Sequence, residues 1–152
     1  MELHFRRATK NDLPAIISML ADDKLGAARE KFQEPLPHSY YDAFEQINSD
    51  KNQELIVVED AEKQVIGTLQ LTFIPSLSNQ GSTRAQIEAV RVRADRRGAG
   101  IGHKLFEWTF HRARERGAHT VQLTSDKRRA EAIKFYENLG FIASHEGMKR
   151  HL

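Results

Sequence analysis

A chain of 152 residues with 39% hydrophobic and 29% charged side chains has the length and make-up of one globular domain with a full core. It has no cysteine, which excludes disulfides, thiolate-bound zinc and a cysteine nucleophile, and no apolar run approaches the ~18 residues of a membrane span. The formal charge is only +2 but unevenly spread, with basic residues outnumbering acidic ones from Arg84 to Lys134.

In chain order, Met1 to Arg6 lacks the apolar centre of a signal peptide, which makes the cytoplasm the expected compartment. Glu2 to Ala8 reads as a first strand with Leu3 and Phe5 inward. Asn11-Asp12-Leu13-Pro14 combines a capping residue, an acid and a first-turn proline, which marks a helix start. Ile16, Ile17, Met19 and Leu20 give that helix its apolar face. Ala21 to Ser39, with Gly26, Pro35 and Pro37, reads as irregular. A short helix over Tyr40 to Asn48 follows, then strands over Glu54 to Glu59 and Gln64 to Ile74. A polar turn over Pro75 to Ser82 leads into a long strand, Thr83 to Arg93. The helical pattern from Ile101 ends at Arg116 before Gly117, Ala118 to Leu123 is a strand, and Asp126 to Leu139 is a helix stopped by Gly140. Phe141 to Ala143 and Met148 to Leu152 are expected to close the fold as a strand pair around Gly147. Without repeats or linkers, residues 1–152 are expected to form a single α/β domain.

The segment Val90-Arg91-Val92-Arg93-Ala94-Asp95-Arg96-Arg97-Gly98-Ala99-Gly100-Ile101-Gly102 carries the most chemistry. Alternate glycines let the backbone turn sharply and leave its N–H groups uncovered. The helix start beyond them adds unpaired N–H groups and the positive end of a dipole. Together they make an anion cradle that suits a pyrophosphate. The Walker pattern fails, because the helix begins Gly102-His103-Lys104 with no Gly-Lys-Ser/Thr. The Rossmann pattern needs Gly-x-Gly-x-x-Gly, and the spacing here differs, although Asp126 lies at about the distance of a ribose acid. Nucleic acid is the weaker partner for this basic stretch: single-strand binders interleave aromatic residues with the arginines, and Trp108 falls within a helix instead. The seven histidines form neither a His-Glu-x-x-His pattern nor a tight cluster, so His103 and His111 read as helix-surface residues and no metal is expected.

The spacing Arg97-x-x-Gly100-x-Gly102 resembles the acetyl-CoA signature of the GNAT N-acetyltransferase family. Ala132-Ile133-Lys134-Phe135-Tyr136-Glu137-Asn138-Leu139-Gly140-Phe141 is similar to that family's Ala-Ile-x-Phe-Tyr-x-x-x-Gly-Phe segment. The two occur in the family's order, and the element order matches over nearly the whole chain. Thr124 to Arg129 and Ser144 to Lys149 look like small bacterial members. One departure is Arg129, at a position where the family often has Asn.

The resemblance implies a mixed, twisted central sheet flanked by helices, with a splayed strand pair holding acetyl-CoA as co-substrate and no metal. It implies a small-molecule or peptide amine as acceptor, no membrane partner, and a homodimer as a frequent arrangement. Cofactor contacts are expected from Val90, Arg91 and Val92 along the strand, from Arg97, Gly98, Ala99, Gly100, Ile101, Gly102 and His103 in the cradle, and from Phe135 and Tyr136. Arg128 or Arg129 is expected to face a cofactor phosphate. The Val90 N–H would aim at the thioester oxygen and stabilise developing oxyanion charge. A lysine-like amine has a pKa of ~10.4, so its neutral form costs roughly 4–5 kcal/mol at neutral pH and a base helps. Glu88, expected on the same strand face as Val90, is the candidate base, directly or through water; the alternative is a solvated acid at an edge-facing position, or one paired with Arg91 or Arg84. Tyr136 is the candidate acid for the departing thiolate. Leu25 to Tyr41 is expected to line the acceptor side. Without a cysteine or a Gly-x-Ser-x-Gly elbow, the acetyl group is expected to pass directly within a ternary complex. A non-catalytic acyl-CoA-binding module is the alternative.

Overall fold

The run Leu55-Ile56-Val57-Val58 sends alternate side chains to opposite faces of its strand, and both faces are buried. A strand that is apolar on both faces belongs in the middle of a covered sheet, and the computed structural model, which describes residues 1–152, puts it there. The strands β1 (His4–Arg7), β2 (Gln53–Glu59), β3 (Val65–Pro75), β4 (Thr83–Val92) and β5 (Ala118–Leu123) form one sheet in chain order. Neighbours from β1 to β4 are antiparallel, whereas β5 runs parallel to β4. A parallel step needs a crossover, and the helix over Ile101–Glu115 lies on it.

Helices cover both faces. On one, α1 (Leu13–Ala21) and α3 (His38–Ser49) pack Leu13, Ile16, Ile17 and Phe44 against Ala8, Leu36 and Val57. Pro14 sits in the first turn of α1, and a capping box between Thr9 and Asp12 closes the short 3-10 turn before it. On the other face, α5 (Ile101–Glu115) brings Ile101, Leu105, Phe106 and Ala113 onto Ile56, Val58, Leu69, Leu71, Phe73, Ala85 and Ile87. Buried Glu54 of β2 fastens the far end of that helix, accepting from Arg112 at 2.6 Å and Arg116 at 2.9 Å.

Four local expectations are revised. The stretch expected to be irregular contains α2 (Lys24–Arg29), capped by the Asp23 carboxylate, which accepts from the Gly26 N–H at 2.5 Å. The turn before β4 contains α4 (Ser78–Gly81), a single turn in which Asn79 and Gln80 take left-handed angles. The last helix, α6 (Ala130–Asn138), starts later than Asp126, because the Asp126 carboxylate takes the N–H and guanidinium of Arg128 and ties off a turn there. The closing strand pair over Phe141 to Ala143 and Met148 to Leu152 does not form. Two strands that short are marginal by themselves; the outer edge of β5 stays unpaired and Ile142, Met148 and Leu152 are exposed.

Candidate active site

The site begins where β4 parts from β5. Their pairing ends at Ile87↔Leu123, and the rest of β4, Glu88 to Val92, is paired only with β3. Two local causes act together. β5 stops at Leu123, and β4 carries a bulge in which Ala89 adopts φ 54°, with the ladder stepping from Glu88↔Gln70 to Arg91↔Thr68. A bulge bends its strand and leaves one residue unpaired. Backbone groups of β4 therefore face an open gap on the β5 side, where an extended ligand can take the place of a strand.

The bulge also corrects the expectation that Glu88 and Val90 share a face. One extra residue reverses the alternation, so Val90 returns to the face of Ile87 and packs with Val92 against the α5-side core. Glu88 is exposed, lies opposite Gln70, and makes an ion pair with neither Arg91 nor Arg84.

Beyond β4 the chain makes a 3-10 turn, Ala94–Arg96, held by Arg93 on Asp95 at 2.7 Å and Arg96 on Asp60 at 2.5 Å. The Arg97 Nε donates to the Val92 carbonyl at 3.2 Å. Gly98 and Gly100 then take φ of 83° and 79°, the left-handed region that glycine enters without strain. The first helical bond of α5 runs from the Lys104 N–H to the Gly100 carbonyl at 3.2 Å. None of the N–H groups of Gly98, Ala99, Gly100, Ile101, Gly102 and His103 finds an acceptor within the chain. These donors at a helix start fit a pyrophosphate. Gly102 is small for a further reason: a Cβ there would stand 3.3 Å from the Phe135 ring, which also meets His103 edge-on at 5.3 Å.

Phe135 thus fixes α6 against the cradle, and Tyr136 follows it. Tyr136 packs against Phe106, Phe135 and Phe141 with ring centroids 5.7, 5.7 and 6.0 Å away. Burial pushes its phenol pKa up, with Arg91 and Arg129 pulling the other way, and its hydroxyl has no partner in the chain.

Arg91, opposite in sense to Val90 on the strand, lies on the α2 side. Its Nη1 donates to the Val90 carbonyl at 2.8 Å, its Nη2 is 4.0 Å from the Asp23 carboxylate, and its buried Nε has no partner. Burial lowers its pKa, and Arg129 and Arg29 push the same way. Arg129, at the N-cap of α6, pairs tightly with the same Asp23. Burial would raise the pKa of that carboxyl, but the Gly26 N–H, Arg129 and Arg91 together hold it below the ordinary range. Arg128 instead turns outward onto Asp126 at 2.7 Å. Asp23 stands immediately before the Lys24–Arg29 helix, and an aspartate there is a capping signal, its carboxylate accepting from the N–H three residues on.

A model of the acetyltransferase (GNAT) family matches residues 22–141. Glucosamine 6-phosphate N-acetyltransferase of Trypanosoma brucei brucei is 32% identical over 89 residues, 59% of this chain and 58% of that enzyme. The chain therefore spans little more than half the length of that relative. The L-methionine sulfoximine/L-methionine sulfone acetyltransferases of Pseudomonas paraeruginosa and Pseudomonas aeruginosa are 27% identical over 146 residues, 95% of this chain and 83% of theirs. Among solved structures, a transcriptional regulator from Bacillus halodurans C-125 is 52% identical and superposes with a TM-score of 0.95 over 99% of this chain and 100% of that one.

Proposed function

The chain belongs to the acetyltransferase (GNAT) family, and from that premise we propose that it is an N-acetyltransferase moving the acetyl group of acetyl-CoA to a small primary amine within a ternary complex. The carrying observation is the run of N–H groups from Gly98 to His103 with no acceptor in the chain, beside the gap between β4 and β5. The relatives that act on glucosamine 6-phosphate and on methionine sulfoximine support a small amine as acceptor.

Bound acetyl-CoA supplies an acyl group activated as a thioester. The cradle would hold its pyrophosphate, and the one-sided stretch of β4 would pair with the amide groups of its arm. The Val90 N–H would donate to the thioester oxygen, where charge develops. The Tyr136 hydroxyl, protonated at neutral pH and free to donate, would supply a proton to the departing sulfur. Glu88 would take the proton of the attacking amine through water, since the bulge turns it away from the face of Val90. Holding both reactants together supplies acceleration by proximity. A homodimer belongs to the same proposal: the free outer edge of β5 and the extended tail suit pairing between copies.

The 52% identical regulator from Bacillus halodurans favours a second reading, in which the chain binds nucleic acid. Charge pairing weighs against it. Arg96, Arg112, Arg116, Arg128 and Arg129 from the basic stretch are all paired with carboxylates of the chain itself, which reduces the positive charge left for phosphates.

Initial rates of thiol release across a panel of amines, with acetyl-CoA varied at several acceptor concentrations, test the proposal. Intersecting lines are expected. Parallel lines, or an acetylated enzyme that passes its group to the acceptor, overturn direct transfer. DNA binding that weakens steeply with salt in the absence of any turnover favours the second reading.

A further inference from the structure

We propose that the amine acceptor of this site carries an oxyanion, a carboxylate or a phosphate, gripped by Arg91 and Arg129 on the α2 side of β4; the proposal rests on the acyl-transfer reading above. A guanidinium is a fork of N–H donors with no acceptor of its own. That of Arg91 is largely buried, its side chain 15% exposed. Its only hydrogen bond goes to the Val90 carbonyl, and its Nε is buried without a partner. Burying an arginine with donors unmet is costly, and an incoming oxyanion would meet them with the planar two-point geometry that guanidinium favours.

Charge balance points the same way. Asp23 is the carboxylate shared by Arg91 and Arg129, and its oxygens already take the Gly26 N–H and the Arg129 guanidinium. Arg29 adds a further positive charge near Arg91 and is itself 3.7 Å from Glu30. The cluster therefore keeps an excess of positive charge. It links α2 on one face of the sheet with the start of α6 on the other, past the end where β4 and β5 part.

Position separates this cluster from the cofactor's own phosphates. Arg91 adjoins Val90, at the acyl end of the gap, and its field reaches Tyr136. The cradle begins only at Gly98, after the 3-10 turn. Phosphates seated on the cradle leave the arginine pair to the other reactant. An amine bearing an oxyanion a few bonds away would then be held by its anion on the α2 side while its nitrogen enters the gap beside Val90.

Matched acceptors test this with the full chain, acetyl-CoA and thiol detection: an α-amino acid against its carboxamide, and an amino-sugar phosphate against the plain amino sugar. The anionic member of one pair is expected to have a kcat/KM higher by roughly tenfold or more, the scale of one charged hydrogen bond. A preference in the first pair marks a carboxylate, and in the second a phosphate. Arg129→Gln keeps a donor and removes the charge, so the KM of the anionic member should rise by a similar factor and that of its neutral partner much less. Asp23→Asn keeps the α2 cap and removes the competing carboxylate, so the KM of the anionic member should fall; it carries the test if Arg129→Gln does not fold. Equal or better turnover of the neutral members, or an Arg129→Gln effect confined to the KM of acetyl-CoA, overturns the proposal and leaves acyl transfer standing. Thiol release that no amine accelerates overturns both.

Discussion

Tyr136 carries two opposed influences: an aromatic surround that favours the neutral phenol, and the cations Arg91 and Arg129 that favour the phenolate. Burial wins, so the group holds its proton at neutral pH, as an acid must. On the proposed mechanism, Tyr136→Phe keeps the ring packing and removes the proton. It should lower kcat by ~10²–10⁴-fold with little change in the KM of acetyl-CoA, and steady-state kinetics with an unchanged kcat would return Tyr136 to a packing role alone. Glu88 is exposed and off the face of Val90, so it is expected to act through water. Glu88→Gln should slow the reaction near neutral pH and recover part of the rate at high pH, where free amine is abundant; a pH–rate profile superimposable on that of the parent enzyme removes Glu88 from the mechanism. At this scale the sequence exposes residues whose type names their chemistry. It hides Ala89, because nothing about an alanine signals a positive φ, and it is that residue which reverses the facing of Glu88 and Val90.

Among the elements, α5 does most to make the site, and its start was legible because glycines at 98 and 100 are tied to backbone angles that other residues resist. Gly100→Val would meet no neighbour, since nothing lies within 4 Å of a Cβ there, yet it would force a β-branched residue to φ 79°. The cradle should deform while the fold persists, weakening acetyl-CoA by more than tenfold, roughly 1.4 kcal/mol, as titration calorimetry would register. An unchanged affinity in a folded variant would separate the cradle from the cofactor. Strands β2 to β5 were legible from alternation and turn residues. Helix α2 was not, because Gly26 and the prolines around it mask a six-residue helix that depends on one aspartate cap. The closing strands expected over Phe141 to Ala143 and Met148 to Leu152 do not form: their apolar residues fit a strand, but periodicity does not show whether so short a segment pairs.

The whole molecule is fastened by carboxylates held below their ordinary pKa: Asp12 by Arg6, Asp60 by the Gln64 N–H and Arg96, and buried Glu54, where Arg112 and Arg116 outweigh burial. For a depressed carboxyl the sign is fixed. Its contribution is full above the unfolded value, about 4, and is lost as pH falls through the folded value. Urea midpoints should therefore hold steady down to mildly acidic pH and drop below about pH 4. Glu54→Gln should cost roughly 1–3 kcal/mol by strand-to-helix uncoupling at that corner and flatten part of the acid limb; an acid limb identical to that of the parent protein would exclude Glu54 as its source.

The unmet N–H groups from Gly98 to His103 have a consequence for heat as well as for catalysis. An anion that binds them in the folded chain and finds no such array in the unfolded chain shifts the melting equilibrium by mass action, about 2.7 kcal/mol at a hundredfold excess over its dissociation constant. Phosphate and sulfate have the same oxygens as a pyrophosphate. The melting temperature of this protein is thus a property of its buffer as much as of its sequence, and a preparation held in phosphate should report both a sturdier fold and a weaker appetite for its cofactor.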